Sequence, residues 1–502
     1  MLQENVQNTR LAIIAIILGI LFQVGWFVMR FAYTMYDDAF IYMRFAENFI
    51  AGCGIRYNCG GNAVEGITSL LFLGLVSAGH FTGFHDDINT WLQLLGLLGV
   101  SGSISAAAVC AWRLAPGRWA ILLPLGVALV LAFDHFFLVN SVIGLETGFG
   151  CLFVTLVVWS RIQPHWPLQR TLLVLAFLTR PESALLILTL PLHRRVWKVR
   201  FLLPLLAALA AIVACRWFYF HDIMPNTFWA KSGGTFRHVA LGWDYIIKAV
   251  KNFPLTAFAP LALLAVKNRT AIASVLISAF LWLAFFLQSG GDVFEHSRLW
   301  APLVPALTAL GLVGLAELAT LITNRVGESG ARLPAAFTVI TATVLALVVS
   351  FSHNLEPKHG MQDVRKWIIL GKFLKENHPG ATVAAVNVGA IGYYSGLDMI
   401  DLVGLTTREV AKSGRSVPPS MIKRNWIGHE RHNTEWVLSR QPDIIVFNQW
   451  SKRPGRLEEL KAKYYASWLL LRAVKEGRAR YILYSPPIQP GLHPYLLVRL
   501  RD

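Results

Sequence analysis

Long apolar runs through residues 1–352 constrain this chain more than any other feature of its sequence. Each run is long enough, or nearly so, to cross a hydrocarbon core roughly 30 Å thick. A chain of this kind folds as an α-helical polytopic membrane protein, because a helix satisfies its backbone hydrogen bonds within one apolar segment. Nine runs are continuous and cover approximately residues 11–29, 88–112, 119–139, 144–160, 201–219, 252–266, 270–288, 300–321 and 333–351.

Two further regions need separate interpretation. Residues 171–192 form one apolar run that Arg180, Pro181 and Glu182 interrupt near its centre. Charges and a proline are costly inside a membrane-spanning helix, so we predict two short spans that meet at a polar turn. Residues 67–83 are short for a span, and we predict an interfacial or re-entrant helix on the outer face. The total is about eleven transmembrane helices.

Lysine and arginine in the short loops predict the orientation, since cytoplasmic loops are enriched in these residues. With the N-terminus inside, every loop predicted to be cytoplasmic carries at least one of them. An odd number of spans then places the C-terminal region outside the cytoplasm. The residues are Arg113, Arg118, Arg161, Arg170, Arg194, Arg195, Lys198, Arg200, Lys267, Arg269, Arg325 and Arg332.

Charge divides the chain into two parts at Ser352, where the apolar runs stop. Residues 1–352 hold 23 Lys and Arg against 16 Asp and Glu, and residues 353–502 hold 23 against 13. The net charge of +17 is therefore +7 in the first part and +10 in the second. We predict a transmembrane domain over 1–352 and a soluble α/β domain over 353–502, with strands near 382–387, 398–402 and 442–447.

The basic C-terminal part has none of the sequence patterns of a nucleic-acid-binding domain. It contains no zinc-finger spacing, no RNP-type aromatic motif and no block of five basic residues, which argues against nucleic acid as a partner. Among the five cysteines, Cys53 and Cys59 lie six apart in a predicted outer loop. A disulfide there and a reduced pair both stay open.

Two adjacent carboxylates, Asp37 and Asp38, directly follow the first predicted span. One could deprotonate an acceptor hydroxyl while the other orients it or binds a metal ion. The alternative is a solvated helix N-cap, where aspartate is favoured. Charged residues of other outer loops are predicted to meet the pair at the same membrane face. They are Arg44, Glu65, Glu146, Arg180, Asp222, Lys231, Asp292, Glu295, His296 and Arg298.

Each of these candidates also has a structural interpretation. Arg180 could pair with Glu182, or it could turn toward a lipid phosphate, which suits the guanidinium fork. The Gly-Gly-Asp loop that ends at Asp292 could close on a phosphate together with Arg298, or simply connect two spans. His429 lies in a Gly-His-Glu segment without the HExxH metal pattern, so a surface loop is the favoured interpretation.

Three other candidates are equally ambiguous from sequence alone. Glu65 precedes an apolar run and could cap the helix that begins there. Glu146 opens the fourth predicted span, where it faces either solvent or a cavity. Asn226 belongs to a Pro-Asn-Thr turn signal, which by itself is a weak indication of function.

Taken in order, these segments resemble one family of membrane enzymes. The opening segments are similar to those of a group of GT-C fold glycosyltransferases that includes the mycobacterial terminal β-(1→2)-arabinofuranosyltransferase. They are Asp37-Asp38-Ala39, Arg44-Phe45-Ala46, Gly52–Asn58 and Val64-Glu65-Gly66. Later segments that match in order are Gly144–Thr147, Leu178–Glu182, Pro225–Lys231, Gly290–Arg298, Gly389–Gly404 and Gly428–Glu430. The short hairpin and interfacial helices also resemble the lipid A aminoarabinose transferase architecture.

The chain departs from the family pattern at a few positions. Phe40 and Phe45 stand where tyrosine is common, and His221-Asp222 replaces the usual Gly-Asp. The chain is also shorter than the mycobacterial enzymes, which leaves the acceptor open.

The resemblance implies a GT-C fold and an inverting transfer of a sugar, D-arabinofuranose being the best guess. The donor is a polyprenyl-phosphate sugar and the acceptor a hydroxyl of a glycan or protein on the outer membrane face. The resemblance implies Asp37 or Asp38 as the base that activates the acceptor. It implies donor-phosphate binding by Arg180, Lys231, His296 and Arg298. It implies sugar or acceptor binding by Arg44, Glu65, Glu146, Glu182, Asn226, Asp292 and His429.

Cofactor, assembly and location are further expectations. Because the chain has only one adjacent acid pair, we expect no metal and no other cofactor. We expect a monomer that contacts membrane lipid, in a bacterial inner (plasma) membrane. Its N-terminus is expected in the cytoplasm and its C-terminal domain in the periplasm.

Two other classes of function stay open. A transporter or flippase of lipid-linked saccharides predicts inverted repeats and charges at the bilayer midplane. The sequence shows no such repeat, and its charges are predicted at one face. A non-catalytic role in envelope or motility assembly is the other alternative.

Overall fold

The structure is a computed structural model that describes residues 35–500 apart from nine short gaps. The gaps are 85–86, 116–120, 164–165, 191–198, 232–234, 265–267, 295, 327–331 and 352–358 within the chain, and 501–502 at its end. The predicted first span at 11–29 and the predicted boundary at residue 352 therefore lie outside the described residues.

Helices form the part of the chain before residue 352. The first of them are α1 Asp37–Ile50, α2 Leu70–Gly79, α3 Ile88–Leu114, α4 Leu122–Phe133, α5 His135–Val142, α6 Thr147–Ile162, α7 Trp166–Thr179 and α8 Ala184–Leu188. The others are α9 Val199–Phe220, α10 Asn226–Lys231, α11 Phe236–Asn252, α12 Arg269–Ser289, α13 Val304–Val326 and α14 Arg332–Phe351. Short 3-10 helices cover Pro181–Ser183, Pro254–Leu264 and Ala301–Leu303.

Within the described residues, four helical segments are long and apolar enough to cross a membrane. They are Ile88–Leu114, Val199–Phe220, Arg269–Ser289 and Ala301–Asn324. A fifth crossing is possible only if Phe236–Asn252 and Pro254–Leu264, which meet at a bend of 80°, are counted as one span. The other predicted spans within the described residues form shorter helices, except 333–351, which coincides with α14 Arg332–Phe351.

Polar residues explain several of the shorter helices. The run predicted as one span over 119–139 is two helices, because Asp134 ends α4 and caps α5 by accepting a 2.8 Å hydrogen bond from the Phe137 N–H. The predicted break at Arg180 is confirmed: α7 ends at Thr179, Arg180 is extended, and a 3-10 turn begins at Pro181. The predicted short helix at 67–83 is α2, which has only ten residues.

The strands of the C-terminal part are β1 Thr382–Ala385, β2 Asp398–Asp401, β3 Arg415–Ser416, β4 Arg431–His432, β5 Ile444–Ser451, β6 Tyr481–Tyr484 and β7 His493–Arg499. Five of them form a sheet with the order β2-β1-β5-β7-β6. Strands β1, β2 and β5 are parallel, and β7 runs antiparallel to both of its neighbours. The predicted strands coincide with β1, β2 and β5, whereas β6 and β7 were not predicted.

Helices surround this sheet, and one apolar core joins it to the membrane part. Buried Phe40 and Met43 of α1 belong to the same apolar cluster as Val383 of β1. The helices are α15 His359–Asn377, α16 Gly389–Ser395, α17 Arg408–Ser413, α18 Thr434–Ser439 and α19 Tyr465–Lys475. Helix α1 is therefore held between the membrane helices and the C-terminal domain.

Candidate active site

The two adjacent aspartates have different surroundings. Asp37 is buried, and its carboxylate accepts hydrogen bonds from the backbone N–H groups of Gly389 at 3.0 Å and Ala390 at 2.7 Å. Burial raises the pKa of Asp37 to about 7, the two backbone N–H groups oppose this shift, and the charge of Asp38 adds to it. Asp37 therefore fastens the start of α1 to the first turn of α16.

Asp38 instead faces the membrane part of the protein. Its side chain is 31% exposed, and Oδ2 lies 3.7 Å from Nη1 of Arg298. Among the described residues, no backbone N–H donates a hydrogen bond to the carboxylate of Asp38. The structure thus separates a tethered carboxylate, Asp37, from an accessible one, Asp38.

Arg298 is buried between two carboxylates. Its Nε donates to Oδ2 of Asp292 at 3.0 Å, and its guanidinium lies 4.0 Å from the ring centre of Phe294. Burial lowers the pKa of Arg298, but Asp292 and Asp38 outweigh that effect and hold the pKa above its usual value. Arg298 therefore stays a cation that offsets part of the negative charge of the two aspartates.

Arg180 is held in the same way by two glutamates. Its Nη1 contacts Oε1 of Glu146 at 2.9 Å, and its Nε contacts Oε1 of Glu182 at 2.6 Å. Tyr42 donates a hydrogen bond to the other oxygen of Glu146 at 3.3 Å. Arg180 also interacts with Asp292, so the two ion-paired groups adjoin.

We call these six residues the acidic network: Asp38, Glu146, Glu182, Asp292, Arg180 and Arg298. Four carboxylates meet two guanidinium groups, so the network carries an excess of negative charge. Both arginines predicted to bind a phosphate are thus already paired with carboxylates. The arrangement suits hydroxyl groups, which can donate to the free carboxylate oxygens.

Lys231 has the opposite character. It ends α10, and it forms no ion pair with any residue that the structure describes. Its aliphatic stem lies against Gly428, where an added Cβ would be 3.4 Å from Cγ of the lysine. Lys231 is therefore a cation that is available to an anionic ligand beside the His429 loop.

Three residues that were not predicted bring the C-terminal domain to the acidic pair. Asn387 hydrogen-bonds the carboxylate of Asp37, and it accepts a hydrogen bond from the amide of Asn448. Tyr464 hydrogen-bonds Asn448, and its ring centre lies 5.6 Å from that of His429. The only sequence signal was the position of both asparagines near the ends of predicted strands.

Other predicted site residues lie in joints between elements. Arg44 is buried and donates to backbone oxygens of Tyr57 at 2.7 Å, Gly392 at 2.5 Å and Leu397 at 2.6 Å. Asn226 donates to the backbone oxygens of Gly404 and Leu405 at 2.7 and 2.9 Å. These contacts connect the membrane part to the C-terminal domain.

Two more predicted residues lie apart from the acidic network. Glu65 is buried and pairs with Arg216 of α9 at 3.0 Å, and burial raises the pKa of Glu65 to about 7. The ring of His296 packs against His135 and Phe136, with centroids 6.0 and 5.7 Å away. The structure therefore surrounds this histidine with rings, although its neighbour Arg298 reaches the network.

The loop predicted at the outer face contains a disulfide between Cys53 and Cys59. The structure thus resolves the choice that the sequence left open for this pair. Among the residues described, no group of three or more His, Cys, Asp or Glu side chains is arranged to hold a metal ion.

The sequence of the chain is similar to one family model, and its fold is similar to several solved structures. The profile of a domain of unknown function, DUF8728, matches residues 355–484. No curated protein matches the sequence of the chain.

Solved structures resemble the chain over nearly its whole length. ArnT from Cupriavidus metallidurans, solved with bound undecaprenyl phosphate, shares 12% identity at a TM-score of 0.52, covering 99% of this chain and 98% of that one. The oligosaccharyltransferase AglB from Archaeoglobus fulgidus, solved with an inhibitory peptide and a dolichol-phosphate, shares 12% identity at a TM-score of 0.52. That match covers 96% of this chain and 74% of AglB. The chain therefore has the GT-C fold, as a polytopic helical membrane protein with a C-terminal α/β domain.

Proposed function

We propose that this chain is an inverting glycosyltransferase. It moves a sugar from a polyprenyl-phosphate donor to a hydroxyl of a glycan or protein at the outer face of a bacterial inner membrane. The observation that carries the proposal is Asp38, an accessible carboxylate beside a carboxylate-rich network in a protein with the GT-C fold. The polyprenyl and dolichol phosphates bound by ArnT and AglB support a lipid-linked donor.

Asp38 acts as the general base in this proposal. It removes the proton of the acceptor hydroxyl, whose oxygen then attacks the anomeric carbon as the bond to the phosphate oxygen breaks. Inversion follows because the acceptor attacks from the face opposite to the phosphate. Asp37 is less suited to this role, since its oxygens already accept two backbone hydrogen bonds.

The departing polyprenyl phosphate is a stable anion, so it needs a cation more than a proton donor. Lys231 is the strongest candidate, because it has no acidic partner among the described residues. Arg180 and Arg298 are paired with carboxylates, and we assign them to hold Glu146 and Asp292 toward hydroxyls of the transferred sugar. Glu182 holds Arg180 in place through their ion pair, and His296 belongs to the loop that carries Arg298.

The location and the sugar are finer parts of the proposal. The Cys53–Cys59 disulfide supports an oxidising compartment for the loop after α1, in agreement with the orientation inferred from the charged loops. No nucleotide sugars are available outside the cytoplasm, which favours a lipid-linked donor. D-arabinofuranose is the sugar that the sequence resemblance favours.

A transfer assay tests the proposal. Purified full-length protein is incubated with polyprenyl-phosphoryl sugars, and glycans and surface proteins from a deletion strain serve as acceptors. Mass spectrometry should show one added pentose, and NMR should show the inverted anomeric configuration. Movement of the lipid-linked sugar across vesicle membranes without a new glycosidic bond would contradict the proposal and favour a flippase.

A further inference from the structure

Two asparagines, Asn387 and Asn448, meet beside the neighbouring parallel strands β1 and β5 of the C-terminal sheet. Strand β1 pairs with β5 so that Ala384 lies opposite Ile445. Asn387 lies two residues beyond the end of β1, and Asn448 lies within β5. The amide of Asn448 donates to that of Asn387. Both residues lie on the carboxyl side of the residues that pair β1 with β5.

This edge of the sheet is a topological switch point. Strand β1 lies between β2 and β5, so the chain passes to opposite sides of β1 in successive connections. Open α/β sheets bind ligands in the crevice at such a point, outside the carboxyl ends of the strands. We define the switch crevice by Asn387, Asn448, Tyr464 and His429.

The switch crevice adjoins the aspartate pair. Asn387 hydrogen-bonds Asp37, and Tyr464 lies within electrostatic range of both Asp37 and Asp38. The four residues of the crevice are half-buried, so each still presents part of its side chain to a ligand. A molecule bound there would therefore lie beside Asp37, the residue that directly precedes Asp38.

The side chains of the crevice suit a sugar. The rings of His429 and Tyr464 are tilted by 39°, and such rings pack against the C–H face of a pyranose or furanose. The two amides offer both donors and acceptors, which match the hydroxyl groups of the same ring. Burial raises the pKa of Tyr464 to about 12, so its hydroxyl stays protonated at neutral pH.

Basic residues without acidic partners border the crevice. Trp426 donates to the backbone oxygen of Lys463 at 3.0 Å, and the ammonium of Lys463 lies 6.0 Å from the ring centre of Tyr464. On the other side, the ammonium of Lys423 lies 5.2 Å from the ring centre of Trp426. We call Lys423, Arg424, Lys461 and Lys463 the basic rim; all four are exposed, and within the described part of the chain none forms an ion pair.

We propose that the switch crevice is the acceptor site and that the acceptor is a glycan carrying negative charge. The inference rests on the proposed glycosyl transfer, because it supplies the acceptor for that reaction. The aromatic pair and the amides bind the sugar whose hydroxyl faces Asp38. The basic rim binds carboxylates or phosphates on the adjoining part of the same glycan.

Binding of defined probes tests the inference. The purified full-length protein is titrated with a short oligogalacturonate, a neutral maltooligosaccharide of equal length, an acidic peptide of equal charge, and phosphatidylglycerol vesicles. We expect the oligogalacturonate to bind most tightly and to weaken as salt is added. Equal binding of the neutral sugar would overturn the charged-glycan assignment. Tighter binding of the peptide or of the vesicles would overturn it in favour of a protein or a lipid surface.

Variants locate the binding to the crevice. Lys461→Glu with Lys463→Glu should weaken oligogalacturonate binding about tenfold or more. The matched control, Lys375→Glu with Lys475→Glu, makes the same charge change elsewhere on the domain and should have little effect. Tyr464→Ala should also lose binding, whereas Tyr464→Phe, which keeps the ring, should retain most of it. Equal weakening by both double variants would overturn the assignment to the rim.

Donor binding separates this inference from the proposed function. The rim variants should bind undecaprenyl phosphate as the wild type does, and they should lose only transfer to a charged glycan. A wild-type protein that transfers sugar but binds no charged glycan overturns the inference alone. A protein that binds neither undecaprenyl phosphate nor a donor sugar overturns the proposed function, whatever it does with the glycan probes.

Discussion

The carboxylate of Asp37 accepts a 2.7 Å hydrogen bond from the backbone N–H of Ala390, which lies 353 positions further along the chain. The neighbouring N–H of Gly389 donates to the other carboxylate oxygen. Together they hold the first residue of α1 against the C-terminal domain, and Asp38 is the next residue. The position of the proposed base therefore depends on the docking of that domain.

Replacement of Gly389 by alanine should break this joint. An added Cβ would lie 1.9 Å from the backbone oxygen of Asp37, so α1 and α16 would have to separate. We expect a loss of about 1–3 kcal/mol in the free energy of unfolding, together with faster proteolysis between the two parts. Gly74→Ala is the control, since a Cβ there meets no atom within 4 Å. If Gly389→Ala had the same free energy of unfolding as the wild type, the close approach of Gly389 to the backbone of Asp37 would be contradicted.

The pKa of Asp37 predicts a pH dependence of stability. Burial raises this pKa from an ordinary 3.8 to about 7, so the folded chain keeps a proton that the unfolded chain has lost. This contribution to stability is complete below about pH 4 and is lost as the pH rises through about 7. The unfolding temperature of wild type minus that of Asp37→Asn should therefore fall across that range. A difference that rises instead would show that the folded protein holds Asp37 as an anion.

Arg44 should be irreplaceable by lysine. Its guanidinium donates to three backbone oxygens and to the Asn58 side chain, a fan of bonds that one ammonium group cannot reproduce. Arg44→Lys should make the C-terminal domain sensitive to protease and should lower transfer while leaving donor binding intact. The exposed Arg365→Lys serves as the control. Unchanged protease resistance of Arg44→Lys would argue against the joint.

Lys231 should govern affinity for the lipid phosphate. Loss of a hydrogen bond to a charged group costs about 1.5–3 kcal/mol, so Lys231→Ala should weaken undecaprenyl phosphate binding about ten- to a hundredfold. Lys366→Ala is the matched control, because Lys366 pairs with Asp363 at the surface. Isothermal titration with the purified protein measures both constants. If the two variants bound undecaprenyl phosphate with equal affinity, Lys231 would not be the phosphate ligand, and Arg180 and Arg298 would be the remaining candidates.

Features with a local cause were predictable from the sequence. The polar turn at Arg180 follows from a proline and two charges in an apolar run, and three strands follow from short β-rich runs. The break at Asp134, inside the run predicted as one span over 119–139, was missed. Hydropathy averages over a window, so one capping residue inside an apolar run has little weight in it.

The site was predictable only where its partners are close in sequence. The pairs Arg180–Glu182 and Asp292–Arg298 are two and six residues apart, and both were recognised as candidates. The partner of Glu65 is Arg216, 151 positions away in an apolar helix, and no local pattern could identify it. The two aspartates differ only through tertiary contacts, which is why the sequence left the choice of base open.

The most direct measurement is the rate of sugar transfer by Asp38→Asn. We expect a loss of about a hundred- to ten-thousandfold in transfer from a polyprenyl-phosphoryl sugar, with undecaprenyl phosphate binding and unfolding temperature unchanged. Asp398→Asn, which removes an exposed carboxylate on β2, should transfer at the wild-type rate. Transfer by Asp38→Asn at the wild-type rate would contradict the account.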